Sequence, residues 1–232
     1  MPDIIQFSGV SHRYTTGHEA LSGIDFSIGA GELVFLTGHS GAGKSTLLKI
    51  AAAIERPTQG QVVVNGTNVS RLKRRQIPAH RQQIGIIFQN FNLLFDRTVF
   101  DNVALPLVIR GFRHQDIGRR VRAALDAVDL LGKERVYPIT LSGGEQQRRL
   151  GDHGASDADA LLADEPTGNL DPALSREIMG LFERFQQVGV SLLIATHAID
   201  LIRRLGHRAI HLDGGRLVDE IAAGHGDHDG RR

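Results

Sequence analysis

The sequence has no cysteine among its 232 residues. Disulfide bonds and thiolate metal sites are therefore excluded. It also lacks an excess of charge of either sign, because 27 Lys and Arg residues face 26 Asp and Glu residues. This balance gives no electrostatic reason to expect nucleic acid as the main partner.

Long hydrophobic runs are missing too. The longest apolar stretches, at 99–109 and 190–195, are too short or too interrupted for the roughly 18–20 residues of a membrane-spanning helix. Residues 1–14 contain no basic segment followed by an apolar run, so a signal peptide is not expected. We expect a soluble, cytoplasmic protein with no membrane span of its own, unless something else holds it at a membrane.

The segments that are present indicate an α/β protein. Short apolar runs bounded by turn residues predict strands at 4–7, 23–28, 33–37, 61–64, 84–88, 160–163 and 190–195. Helical spacing of apolar residues predicts helices at 44–54 and 172–188. The same spacing from 99 to 131 predicts a helical subdomain inserted into the α/β core.

A glycine-rich loop joins the strand at 33–37 to the following helix. It fits G-x-x-x-x-G-K-[ST] with Gly38, His39, Ser40, Gly41, Ala42, Gly43, Lys44 and Ser45. Glycines let the backbone N–H groups wrap a phosphate, and the helix N-terminus adds partial positive charge. Lys44 supplies charge for the β and γ oxygens, and Ser45 supplies a hydroxyl for Mg²⁺. With the adjacent Thr46, the loop predicts a nucleoside triphosphate site, without choosing between ATPase, GTPase and kinase.

Two carboxylates end the hydrophobic strand predicted at 160–163. Asp164 is placed to hold Mg²⁺, and Glu165 is the candidate general base that polarises an attacking water. The pair suits phosphoryl transfer because that reaction asks the protein mainly for positioning and charge neutralisation.

A second glycine-containing motif, Leu-Ser-Gly-Gly-Glu-Gln, occupies residues 141–146. Ser142, Gly143 and Gly144 offer a hydroxyl and bare amides at a helix N-terminus, which is another anion-binding arrangement. A monomer that already holds phosphate at 38–45 does not need it. The motif makes sense if it faces the γ-phosphate bound by another subunit.

The 141–146 motif resembles the signature of the ABC ATPases, and the resemblance extends over about residues 4–218. It implies an α/β P-loop NTPase of the ABC nucleotide-binding-domain type, with a mostly parallel core sheet, an N-terminal antiparallel β portion and an inserted α-helical subdomain. It also implies ATP and Mg²⁺ as ligands, ATP hydrolysis, and a head-to-tail homodimer. In that dimer Ser142, Gly143, Gly144 and Glu145 would contact the nucleotide of the other copy.

Further roles follow only from this resemblance. Tyr14 lies where the family stacks an aromatic ring on adenine, although a tyrosine in a strand also serves simply for packing. Gln89 resembles the glutamine that touches Mg²⁺ and the water, and His197 the histidine that contacts the γ-phosphate and orients Glu165. The loop that contacts the other subunit is matched by Asn169, Leu170 and Asp171.

The resemblance also implies a domain division. We expect one nucleotide-binding domain at 1–223, with the helical subdomain at about 95–158 and a polar, flexible tail at 224–232. The apolar side chains of Phe91, Leu93, Leu94, Phe95 and Phe100 either pack that subdomain or line a groove for a helix of a membrane partner.

Finer similarity narrows the role within the family. The segments 37–48, 54–57, 94–107 and 163–171 resemble the bacterial cell-division branch. This implies an integral membrane partner, an FtsX-like permease, and a location on the cytoplasmic face of the inner membrane, where ATP turnover regulates cell-wall hydrolysis. The alternative within the family is the ATPase subunit of a lipoprotein-releasing or macrolide-type exporter.

One segment, 149–159, departs from the family. Where relatives continue in an apolar-striped helix, this chain has Gly151 and Gly154, each costing a helix about 1 kcal/mol relative to alanine. Either a compensated pair of frame errors has altered a short window, or the change is genuine. A genuine change favours a third alternative, a module that binds ATP without hydrolysing it.

Overall fold

The computed structural model of the chain describes residues 2–87, 94–126, 130–140, 159–168 and 170–224. Within them lie ten strands, which we number β1 (Asp3–Arg13), β2 (Glu19–Gly29), β3 (Leu33–Thr37), β4 (Gln59–Val64), β5 (Thr67–Asn68), β6 (Ile84–Ile87), β7 (Ala160–Asp164), β8 (Ser191–Ala195), β9 (Arg208–Asp213) and β10 (Arg216–Ile221). The α-helices of these residues are α1 (Lys44–Ala51), α2 (Ile77–Gln82), α3 (Val99–Ile109), α4 (His114–Asp126), α5 (Pro172–Gln187) and α6 (Ile199–Leu205). Short 3₁₀ turns occupy Val69–Arg71, Arg74–Gln76, Leu131–Lys133 and Pro138–Thr140.

The strands form two sheets. The smaller sheet is antiparallel, in the order β2-β1-β4-β5. The larger sheet has the order β10-β9-β3-β8-β7-β6, and its neighbours are parallel except for the edge pair β9 and β10. The predicted combination of a mostly parallel core and an N-terminal antiparallel portion is confirmed.

The first two strands are longer than the sequence pattern predicted. The runs expected at 4–7 and 23–28 are parts of strands of eleven residues each. The register of β1 against β2 shifts between Phe7 and Val10, and again before His12. Such irregularities break the alternation of apolar and polar residues, which is the signal by which a strand is recognised in a sequence.

Helix α1 is shorter than predicted, since it ends at Ala51 rather than at Ile54. Ala53 adopts a left-handed backbone conformation with φ +54°. The amide of Ile54 donates instead to the carbonyl of Lys49, which closes the helix. The sequence does not predict this helix end, because the residues 51–53 are all alanine, which favours helix.

Buried side chains on the two faces of the parallel sheet build two cores. On one face, Val34 and Leu36 of β3 pack with α1 and the antiparallel sheet. On the other, Leu33 and Phe35 pack with α5. Strands β3, β7 and β8 are therefore covered on both sides, as is usual for parallel sheets.

The predicted helical segment contains α3 and α4, which pack on each other through residues that include Val103, Val121 and Leu125. Phe100 is partly buried in this contact, whereas Phe95 is 55% exposed. Phe91 and Leu93 lie outside the described residues. In the part of the chain that the structure describes, no helix is long and apolar enough to cross a membrane.

Candidate functional site

The loop between β3 and α1 lies at the carboxyl end of the central strand of the parallel sheet, and its backbone requires glycine. Gly43 adopts φ +106°, and a Cβ there would lie 2.6 Å from the carbonyl oxygen of Ala20 and 2.7 Å from Leu21 Cδ2. Among the described residues no side chain caps the N-terminus of α1, and its first turn has no acidic residue. The loop therefore leaves room and positive backbone polarity for an anion.

Lys44 brings a positive charge into this loop. Its side chain is 9% exposed, and its ammonium donates to the carbonyl oxygens of Gly38 (2.7 Å) and His39 (3.1 Å). The same nitrogen lies 3.9 Å from Oε1 of Glu165. The ammonium thus lies between the loop and the carboxylate that ends β7.

Asp164 and Ser45 meet beside the lysine. The Ser45 hydroxyl forms a hydrogen bond with the Asp164 carboxylate, whereas Oδ1 of Asp164 is buried and has no partner within the described part of the chain. Burial raises the pKa of Asp164 and the nearby Glu165 charge adds to this, while the bond from Ser45 opposes it. A hydroxyl and a carboxylate with one unpartnered buried oxygen fit a hard divalent cation such as Mg²⁺.

Glu165 faces His197 because their strands are neighbours. Asp164 of β7 pairs with Ala195 of β8, and the Glu165 amide donates to the Ala195 carbonyl at 2.8 Å. His197 Nδ1 lies 2.8 Å from Glu165 Oε2 and donates a hydrogen bond to it in the tautomer that a carboxylate favours. The Glu165 side chain is only 11% exposed, so the carboxylate is held by Lys44 on one side and His197 on the other.

Tyr14 reaches the loop from the end of β1. Its hydroxyl is 3.0 Å from the hydroxyl of Thr46, and its ring makes an edge contact with His12 at 4.7 Å between centroids. Two residues that the sequence analysis did not single out, His18 and Ala20, lie beside it at the same cleft. Their signal in the sequence is faint: they border the turn that brings β2 back along β1.

These side chains surround a single cleft of about 570 Å³, large enough for a nucleotide. It is lined by Tyr14, His18, Ala20, Ser40, Gly41, Ala42, Gly43, Lys44, Ser45, Thr46, Asp164, Glu165 and His197. Residues separated by more than a hundred positions in the sequence therefore converge at the carboxyl ends of three parallel strands, as is usual for ligand sites in α/β sheets.

His39, also a candidate, points its imidazole elsewhere. Its Nδ1 lies 2.6 Å from the Ser40 carbonyl oxygen, and its Nε2 lies 2.9 Å from Oδ1 of Asp213, at the end of β9. The bond to Ser40 and the neighbouring Asp213 raise the pKa of His39. The side chain of His39 does not line the cleft, although its carbonyl oxygen accepts from Lys44.

Of the predicted intersubunit loop, the structure describes Leu170 and Asp171. Leu170 packs partly buried against the core, and Asp171 caps α5 by accepting from the amides of Ala173 and Leu174. The remaining candidates, Gln89, Ser142, Gly143, Gly144, Glu145 and Asn169, lie outside the described residues. So do residues 149–158 of the altered segment and 225–232 of the tail.

A family model described as "ABC transporter" matches residues 21–168. The chain is 54% identical to the cell division ATP-binding protein FtsE of Escherichia coli strain K12, over 92% of this chain and 97% of that protein. It is 40% identical to the protein of the same name from Bacillus subtilis, over 97% and 100%.

Two solved structures have a similar fold. One, described as the dimeric structure of MJ0796, a bacterial ABC transporter cassette, matches with a TM-score of 0.88 and 31% identity. The other, the same cassette in a dimeric post-hydrolysis state bound to ADP and Pi, has a TM-score of 0.87 and 30% identity. Each match covers 94% of this chain and 98% of the other.

Proposed function

The chain belongs to the ABC transporter family and is an ATPase of that type, and from this premise we propose that the cleft between the 38–45 loop and Glu165 is where it hydrolyses ATP. One observation carries the assignment. Lys44, the Ser45–Asp164 pair and the Glu165–His197 pair all line the same cleft, although they come from three strand ends.

The geometry suggests a division of labour in which water attacks the γ-phosphorus and the bond to the ADP oxygen breaks. Glu165 polarises the water and accepts its proton. Its carboxylate is positioned for this role by His197, which contacts one oxygen, and by Lys44, which lies near the other. Lys44 offsets the negative charge of the phosphate oxygens. Mg²⁺, when bound, would be held by Ser45 and Asp164 and would neutralise charge on the phosphates. The products are ADP, phosphate and a proton.

We further propose that the active unit is a head-to-tail homodimer. In the described residues, the cleft is lined on one side by the loop that carries Lys44 and Ser45, and we expect another copy to face its solvent side. The second anion motif at 142–145 would close that side from another copy. The dimeric cassettes that share this fold support the arrangement.

The cellular role that we propose is in bacterial cell division, in partnership with an integral membrane permease of the FtsX type. The support is similarity to relatives named as cell division ATP-binding proteins, which extends along nearly the full length of both chains. Since this role needs a location at the inner membrane and the described helices contain no span, the permease would hold the protein there. ATP turnover would then regulate cell-wall hydrolysis through that partner.

Catalysis at the cleft is tested by the variant Glu165→Gln. We expect turnover to fall by at least about 100-fold, because a general base is lost, while ATP still binds. A matched control is Glu183→Gln, which removes a carboxylate that lies near His207 and does not line the cleft, and it should leave turnover unchanged. Equal, near-zero rates for wild type and Glu165→Gln would contradict the proposal and favour a module that binds ATP without hydrolysing it.

The dimer is tested by light scattering of Glu165→Gln with ATP and Mg²⁺. We expect a dimer with ATP and a monomer with ADP. A monomer under both conditions, with ATP demonstrably bound, would reject the composite site.

For the partner, recovery of an export permease rather than an FtsX-type protein in a membrane co-purification would reject the cell-division role.

A further inference from the structure

The charges of this chain are unevenly distributed, although they nearly cancel overall. From Arg56 to Phe95 there are six Lys or Arg residues and no Asp or Glu. Four of the six fall within five positions and form what we name the basic face: Arg71, Lys73, Arg74 and Arg75. All four are exposed and lie in or between the two 3₁₀ turns that precede α2.

The cations of the basic face are not neutralised by acidic side chains of the described residues. Within the described part of the chain, none of the four makes an ion pair, whereas several other surface arginines do, such as Arg13 with Glu19 and Arg122 with Glu134. The other two cations of the segment serve the fold, because Arg56 donates to the Leu72 carbonyl and Arg81 to those of Ala52 and Ala53. Four like charges at close spacing repel one another. Binding to an anionic surface is favourable because it offsets this repulsion.

Exposed aliphatic side chains border this face. Arg81 fixes α2 against the end of α1, next to Ile54, which is 40% exposed. Gln82 Nε2 donates to the Ile109 carbonyl at 3.4 Å, so α2 also meets the end of α3, where Val108 and Ile109 are 56% and 62% exposed. We name these three residues the aliphatic border.

We propose that the basic face and the aliphatic border together form a binding surface for an anionic phospholipid bilayer. Phospholipid headgroups supply the negative charge, and the boundary between headgroups and acyl chains accommodates aliphatic side chains. Each cation near such a membrane contributes about fivefold in affinity, so four contribute on the order of a few hundredfold at low salt.

Nucleic acid fits this surface less well. Single strands bind where bases stack on aromatic rings, and the only ring within residues 71–83 is that of His80, which is buried. Phosphate backbones also give no role to the exposed Ile54, Val108 and Ile109. Binding at this surface does not require the permease proposed above. Vesicles that contain no protein can therefore test it separately.

The proposal is tested by vesicle co-sedimentation of the purified full-length chain. We expect binding to vesicles in which phosphatidylglycerol replaces part of the phosphatidylcholine, no binding to phosphatidylcholine alone, and strong weakening at roughly 1 M salt, where charges are screened beyond ~3 Å. The variant R71Q/K73Q/R74Q/R75Q should bind on the order of 100-fold more weakly. The matched control R119Q/R135Q/R184Q/R216Q loses the same charge from exposed positions elsewhere and should bind like wild type.

A second measurement locates the contact. Because the chain contains no tryptophan, a single Ile109→Trp reports on its own surroundings, and its emission should shift to the blue with phosphatidylglycerol vesicles. Val188→Trp, at the 76% exposed residue that directly follows α5, should not shift. Equal binding by the two quadruple variants, a shift at both tryptophans, or preferential binding of duplex DNA lost in the first variant would overturn the proposal.

Discussion

At the scale of single residues, Glu165 shows how the site depends on its backbone. It adopts φ +50°, a left-handed conformation that residues other than glycine rarely take. The conformation is held by the bond from its amide to the Ala195 carbonyl, and it directs the carboxylate toward Lys44 and His197. Strain of this kind is common where geometry serves chemistry.

The 38–45 loop should tolerate a methyl group at one glycine and not at another. In Gly43→Ala the new Cβ would lie within 3 Å of Ala20 and Leu21, so we expect unfolding free energy to fall by about 2–3 kcal/mol and ATP binding to be lost. Gly41 also has a positive φ (+82°), but no atom lies within 4 Å of a Cβ placed there. For Gly41→Ala we therefore expect the unfolding free energy to fall by only about 1 kcal/mol, the cost of the backbone conformation. Urea denaturation measures both, and equal losses would contradict the steric argument.

The raised pKa of His39 makes the stability of the folded chain depend on pH. Because the pKa of His39 is raised above 6.5, its stabilising contribution is complete below that value and disappears as pH rises through the folded-state pKa. Asp213→Asn removes the charge, so we expect the NMR titration midpoint of His39 to move down. His39→Gln provides the assignment. An unchanged midpoint would mean that the bond to Ser40 alone raises the pKa.

At the scale of helices and strands, Asp171 caps α5, and two variants can distinguish this capping from any further role of its carboxylate. Asp171→Ala removes an acceptor for the amides of Ala173 and Leu174, and should lower the unfolding free energy by about 1–2 kcal/mol. Asp171→Ser keeps a capping oxygen and should recover most of that loss in urea denaturation. If the serine variant is as unstable as the alanine variant, the carboxylate does more than cap the helix.

How well the sequence predicted each element depended on how local its signal is. Strands β3, β7 and β8 were predicted to within a residue, because each is a short run of mostly apolar residues beside a chemically distinctive loop. Strands β9 and β10 and helix α2 were not predicted at all. In β9 and β10 the apolar pattern is interrupted by charges such as Arg208 and Glu220, which pair with each other across the strands, a contact that a local pattern does not contain.

At the scale of the whole molecule, Arg208 links the two sheets. From β9 it donates to the Ser27 carbonyl of β2, to Glu32 and to Glu220 of β10, with its side chain 19% exposed. We expect Arg208→Met to lower the unfolding free energy by about 1–3 kcal/mol, since it leaves these acceptors unpaired. Arg13→Met, which breaks an exposed pair, should cost less than about 0.5 kcal/mol, and calorimetry of the two variants measures both losses. Similar losses would contradict this view of Arg208.

Sheet order is the part of the fold that the residues could not reveal. The motifs identified the groups that converge at the cleft, but not that β3 lies between β8 and β9, or that Asp213 meets His39. Pairing between strands more than 150 residues apart is decided by the packing of the complete chain, so no window of sequence reports it.

The position of β3 has a consequence for synthesis. A ribosome makes the 38–45 loop early, but the two strands that flank β3 come from residues 191–195 and 208–213, near the end of the chain. Nascent chains that stop short of them would expose an apolar strand with both edges unpaired and would lack His197. The proposed nucleotide site can therefore form only after residues 191–213 have been made, and products truncated before them should be inactive and prone to aggregate.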